Sequence, residues 1–220
     1  MSDTPSNAAG YLNLPKQERS RASLQRIYAS TKSFMLERGN FDFTLIEVSK
    51  HAETSTGTIY QRFENKDNLV KAVIIRMLNE LHLEEQAILN ILSETNSDLS
   101  GFLTHFVAAY ESFLRKNVAI MRLCILKAED DAEVLDIAKS NFRDSEQRSE
   151  SIIRRLAQTE NLHISSEQSN VCFHIVFDSL ARQLGVGSPL KAGSSQILAL
   201  LIKELPVVCM NYLRGANSKC

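Results

Sequence analysis

The residues best suited to chemistry lie within 44–66, and their chemistry is recognition rather than catalysis. Thr56, Thr58, Tyr60, Gln61 and Arg62 crowd hydrogen-bonding side chains onto one short stretch, each able to reach a phosphate or a base edge. An arginine can bind guanine O6 and N7 through two parallel bonds, and a glutamine can do the same for adenine. Arg62 is therefore the first candidate for base readout, with Gln61 beside it. The alternative for both is a solvated face that touches phosphates only.

Other chemistries find little support. Cys124, Cys172, Cys209 and Cys220 are widely separated, with no CxxC pair and no nearby histidine pairing. That argues against a zinc site or a disulfide framework and fits a reducing cytoplasm. Glu129, Asp130 and Asp131, with Glu133 and Asp136, could suggest a metal site. Consecutive acids at a helix start, however, are favoured by the macrodipole and are usually just solvated. The sequence has no Gly-rich phosphate loop and no convincing catalytic dyad, so neither an enzyme nor a cofactor is expected.

The elements that must position the recognition residues are legible around them. Thr44 is a good N-cap, and Leu45, Val48 and Ala52 follow on one helical face. Glu53, Thr54 and Ser55 break that pattern, and Ser55 can cap a second short helix over 56–63 with Ile59 and Phe63 inward. Two short helices with a tight turn, the second outwardly polar, describe a helix-turn-helix. Before them, Leu24, Ile27, Tyr28, Thr31, Phe34 and Met35 form the stripe of an amphipathic helix over 21–38. Gly39 ends it where a left-handed residue is wanted. Residues 1–19, rich in Ser, Asn, Pro and Gly, read as a flexible arm.

The chain has 220 residues, 44% of them hydrophobic, with only eight Gly and four Pro, which points to an all-α protein. No uninterrupted apolar run approaches the ~18 residues of a membrane span, so no membrane partner is expected. Net charge is −1, but residues 16–76 hold eleven Lys and Arg against seven acids, while 77–220 hold fourteen against eighteen. A basic first third on an acidic remainder suits a nucleic-acid-reading module joined to a different kind of domain.

These features together resemble the DNA-binding domain of the TetR family of bacterial regulators. The resemblance rests on Glu37-Arg38-Gly39 closing the first helix, then Phe41 and Phe43-Thr44. It continues through Ser55-Thr56-Gly57-Thr58-Ile59-Tyr60 with Phe63, and ends with Asn65-Lys66-Asp67-Asn68-Leu69 opening a long fourth helix. It implies phosphate contacts from Thr44, Thr58, Tyr60 and Lys66, with Thr56, Gly57, Gln61 and Arg62 facing the groove. Two departures stand out. Glu53 and Thr54 occupy turn positions that usually hold Gly and a small apolar residue. A non-Gly residue in the left-handed region costs about 1 kcal/mol or more. Ile46 occupies an exposed position that is often basic or polar.

The resemblance further implies an all-α fold with an N-terminal helix-turn-helix domain at 20–73, joined through the fourth helix to an effector and dimerisation domain at 74–220. That helix, over 65–95, would act as the lever between them. A fifth helix is expected over 99–116, a sixth over 118–128, a seventh over 132–160, an eighth to Leu184 and a ninth over 194–213, where Pro206 should kink or split it. The aromatic stripe Phe102, Phe106, Tyr110 and Phe113 reads first as core. The resemblance adds an effector cavity that these could line, completed by Met121, Cys124, Phe142, Phe173 and His174. The expected partners are a palindromic double-stranded operator, a small-molecule effector with an apolar part, and a second copy of the chain held through the two C-terminal helices. The function so implied is a homodimeric repressor released by that effector. The rival is a related DNA-binding protein without an effector, controlled by a protein partner or organising DNA.

Overall fold

The computed structural model describes residues 16–187 and 193–217, and within them every regular element is an α-helix. In chain order these are α1 Lys16–Arg38, α2 Leu45–His51, α3 Thr56–Tyr60, α4 Lys66–Thr95, α5 Leu99–Ala128, α6 Ala132–Thr159, α7 Ser166–Leu184 and α8 Ser195–Asn217. The chain divides into two compact units, Met1–Val70 and Lys71–Cys220. The division falls inside α4, less than one turn before the boundary expected at 73/74.

The first unit closes around the inward faces of its short helices. Ile27, Met35, Val48, Ala52, Ile59 and Leu69 are fully buried there, and Phe43, Leu45 and Phe63 nearly so. Each large side chain so buried contributes roughly 1.5–3 kcal/mol. Phe34 stacks on Phe43 at 6.2 Å between ring centroids, and Tyr28 meets Phe63 edge-on at 5.9 Å. Gly39 takes φ +67° and donates to Met35 O at 2.9 Å, ending α1 as its position requires. The expected arm gives way earlier than its composition suggests, because α1 already begins at Lys16. Residues 1–15 lie outside the described residues.

In the second unit, close approaches join α5 to α6, α7 and α8, α6 to α7, and α7 to α8. Long side chains tie α4 to these helices. Asn141 Nδ2 reaches Leu78 O at 3.3 Å, Gln86 Nε2 reaches Asp144 Oδ2 at 3.1 Å, and the Tyr110 hydroxyl reaches Glu85 Oε1 at 2.6 Å. The fifth and sixth helices expected from sequence are one, α5. The apparent break at Asn117 fails because that side chain is buried and satisfied in place. Its Nδ2 donates to Phe113 O at 3.1 Å and to Glu84 Oε2 at 3.4 Å.

The last helix is not split either, since α8 runs through Pro206. Leu198, Leu205, Cys209, Met210 and Leu213 bury one face of it. The stretch Ser195–Gly215 is long and apolar enough to cross a membrane by length and composition, with mean hydropathy 1.4. No single uninterrupted apolar run revealed this in the sequence. Packing against α5 and α7 buries only part of that apolar surface, about a third of the stretch.

Candidate nucleic-acid interface and ligand cavity

The reading helices are held by caps that use the sequence's own polar residues. The Thr44 hydroxyl accepts from Glu47 N at 3.2 Å while Glu47 Oε2 accepts from Thr44 N at 2.7 Å, a complete capping box at the start of α2. Arg38 Nη2 pairs with Glu47 Oε1 at 2.7 Å, and its other nitrogen donates to Asp42 O. The Arg38 hydrogen bond, followed by those from Thr44, holds the Glu47 carboxyl down at about 2. The Thr44 hydroxyl and amide are thus committed to Glu47, and a negative charge already sits at the N-terminus of α2.

Ser55 caps α3, accepting from Thr58 N at 3.1 Å and meeting the Thr58 hydroxyl at 2.8 Å. The Thr56 hydroxyl turns back to Ser49 Oγ of α2 at 3.1 Å, so it braces the two helices against each other. Tyr60 is 54% exposed, and Gln61 and Gly57 also lie open on the surface. Lys66 opens α4 with its ammonium 4.8 Å from the Phe43 ring centroid, a cation–π contact on the face that begins the helix. Arg62 departs most from its expected pose. Its Nη2 donates to Ser20 Oγ at 2.7 Å and to Ser20 O at 3.0 Å, near the start of α1.

The turn carries the strain its sequence announces. Glu53 has φ +48°, with Thr54 N donating to Ser49 O at 3.0 Å across the end of α2. Glu53→Gly is expected to raise stability by about 0.5 kcal/mol, the relief of left-handed strain less the added freedom of the unfolded chain. Chemical denaturation measures it, and a loss of stability would mean that the turn bears no strain. Ile46, in the first turn of α2, is an apolar residue 58% exposed.

Gly57 has neither positive φ nor crowding to explain it, because a Cβ there would meet only Ser55 Oγ at 3.8 Å. Within α3, Gly57→Ala should stabilise the fold by roughly 0.5–1 kcal/mol. If glycine is there to let DNA approach the backbone, the same variant binds DNA about tenfold or more weakly. Thermal melting and a DNA titration on one preparation separate the two effects.

The second unit encloses a cavity of about 550 Å³, within the general range of small-molecule sites, roughly 300–1,000 Å³. Its wall is mostly apolar, with Leu78 and Leu81 from α4, Phe113, Met121 and Cys124 from α5, and Phe142 from α6. Of the residues named for an effector cavity, Phe113, Met121, Cys124 and Phe142 lie on this wall. The others are elsewhere. Phe102, Phe106 and Tyr110 are fully buried in a run of stacked and edge-on rings with Phe173, which lies 6.0 Å from Tyr110 and 5.5 Å from Phe142. His174 faces Glu146 Oε1 at 3.1 Å with its side chain 43% exposed.

Sequence reasoning missed the polar lining. His82 and Glu85 belong to the cavity wall, and so does Asn141. His82 and Glu85 fall on the same α4 stripe as Leu78, Leu81, Leu89 and Leu92. Polar residues at inward positions of an apolar stripe were the available signal.

A small unit that presents a capped two-helix segment with an outwardly polar second helix defines a helix-turn-helix DNA-binding module. Residues 27–73 match the family profile described as bacterial regulatory proteins, tetR family. No curated protein matches the chain. Solved structures of similar fold include a TetR-family transcriptional regulator from Mesorhizobium loti, with TM-score 0.69 and 15% identity over 89% of this chain and 97% of that one. A bacterial regulatory protein of the tetR family from Rhodococcus aligns with TM-score 0.61 and 16% identity, over 84% and 95% of the two chains. FadR from Bacillus subtilis, solved in complex with stearoyl-CoA, aligns with TM-score 0.59 and 12% identity, over 84% and 97%. The chain thus carries a match to the tetR-family profile over residues 27–73 and shares its fold with these solved regulators.

Proposed function

We propose that this chain is a homodimeric repressor that leaves its operator when a small molecule enters the cavity of the second unit. The observation that carries the reading is the membership of α4. Its first residues, Lys66 to Val70, belong to the unit that holds the reading helices, while Leu78, Leu81, His82 and Glu85 line the cavity. A ligand that favours one placement of α4 over another changes DNA affinity by its differential affinity for the two states. An open cavity favours this reading over one in which no effector exists.

Dimerisation through α7 and α8 draws support from what those helices leave uncovered. Ile197, Leu200, Val207, Val208 and Tyr212 on α8, with Val171 on α7, are between 37% and 54% exposed. They recur at helical spacing opposite the buried face of α8. A two-fold pair would supply two reading heads for a palindromic site. In this reading Thr58, Tyr60 and Lys66 bind phosphates, Gln61 and Arg62 read bases, and Thr56 and Gly57 set the close approach. Thr44 contributes chiefly through the helix start that it caps.

The test is a reporter driven by the promoter upstream of the chain's own coding region, exposed to a chemically varied panel of small molecules. Some compound should relieve repression by the natural chain but not by Ala138→Trp, which puts an indole ring into the cavity from a residue of its wall. Equal relief of both would place the effector elsewhere.

A further inference from the structure

The charged groups of the cavity wall are unevenly matched. Among the described lining residues are two carboxylates, Glu85 and Glu129, one imidazole, His82, and no lysine or arginine. The imidazole already faces a carboxylate, since His82 Nε2 lies 3.4 Å from Asp144 Oδ2. Asp144 is further held by Arg148 Nε at 2.6 Å and Gln86 Nε2 at 3.1 Å.

Glu85 has no such partner. Its Oε1 accepts from the Tyr110 hydroxyl at 2.6 Å and its Oε2 from the Ser145 hydroxyl, both neutral donors. Among the described residues no cation is ion-paired with it. Burial pushes its carboxyl pKa up, and His82 eases this less than the two hydroxyls do. Each carboxylate oxygen has two lone pairs, so both keep acceptor capacity after these bonds.

Two further features surround this carboxylate. Phe113, Phe142 and Phe177 line the same cavity, and aromatic faces attract organic cations. His82 Nδ1 is buried without a hydrogen-bond partner. Gln86 Nε2, an amide nitrogen that can only donate, lies 2.6 Å from His82 Nε2, so Nε2 accepts and Nδ1 carries the proton as a neutral donor. A fatty carboxylate would meet no lysine or arginine among these residues. A protonated amine would meet a carboxylate with no cation against it and three rings.

We propose that the cavity takes an apolar organic amine in its protonated form, with the ammonium on Glu85 and the apolar body against Phe113, Phe142 and Phe177. This rests on the reading of the cavity as the effector site. Octylamine, octanoate and octanol share one chain and differ in head group, so titration calorimetry of the full chain with each reads the class directly.

Octylamine should bind at least ~10-fold more tightly than the other two, the difference a charge-assisted bond makes. Glu85→Gln should erase that preference while octanol binding persists, which also shows that the variant keeps its cavity. Equal or tighter binding of octanoate overturns the proposal, as does an amine preference that survives Glu85→Gln. If octylamine shows no preference while octanoate or octanol binds and Ala138→Trp abolishes that binding, the cavity remains a ligand site and only the amine class fails. If none of the three binds, the effector reading falls with it.

Discussion

Replacing Arg62 and Lys66 together by alanine should weaken DNA binding roughly 100-fold and leave the fold intact. A base-reading arginine contributes about 1–3 kcal/mol, and a phosphate-binding lysine removes about one unit from the salt slope. Arg62 is exposed and bonded to Ser20, and Lys66 is half-buried over Phe43. Their loss should therefore cost little stability. In the free protein the Arg62 guanidinium is held against the start of α1. On DNA it must either exchange Ser20 for a base or hold that part of α1 beside the backbone. Ser20→Ala separates the two. It should leave affinity unchanged if Arg62 reads a base, and weaken it if the clamp is what matters, though less than Arg62→Ala because the bond to Ser20 O remains. Circular dichroism on the same samples checks the helices.

The second large effect lies in the aromatic interior. Phe173→Ala is expected to destabilise the second unit by about 3–5 kcal/mol, the usual cost of removing a fully buried ring. Phe173 sits among Phe106, Tyr110, Phe142 and Phe177, with centroids between 5.5 and 6.5 Å away. Because Phe142 also lines the cavity, the void left behind it should loosen that wall and weaken any ligand bound there. Urea denaturation followed by near-ultraviolet dichroism measures the loss. A cost below about 1 kcal/mol would mean that these rings are not the packed centre of the unit.

Phe102, Phe106 and Tyr110 show why a sequence identifies an aromatic stripe more readily than a cavity. Periodicity says which face of α5 turns inward, and all three residues do. It does not say where facing helices stay apart, and that separation alone distinguishes Phe113, which lines the cavity, from Tyr110 one turn earlier. The recognition segment was more legible because its determinants are local. Thr44, Glu47, Ser55 and Gly39 fix helix ends through neighbours a few residues away, and Glu53 adopts the left-handed turn its position demands. Arg62 was harder, because its partner Ser20 is remote in sequence. Asn117 misled for a related reason. A residue that often breaks helices was kept inside one by Glu84, which belongs to another helix.

The central claim is that this chain reads a specific DNA site, and one titration tests it most directly. The purified protein is bound to DNA from its own upstream region and, in parallel, to an unrelated duplex of equal length, at several salt concentrations. The expected result is binding that falls steeply with salt and prefers the upstream DNA by at least ~10³-fold. Absence of binding to either duplex even at low salt would contradict it.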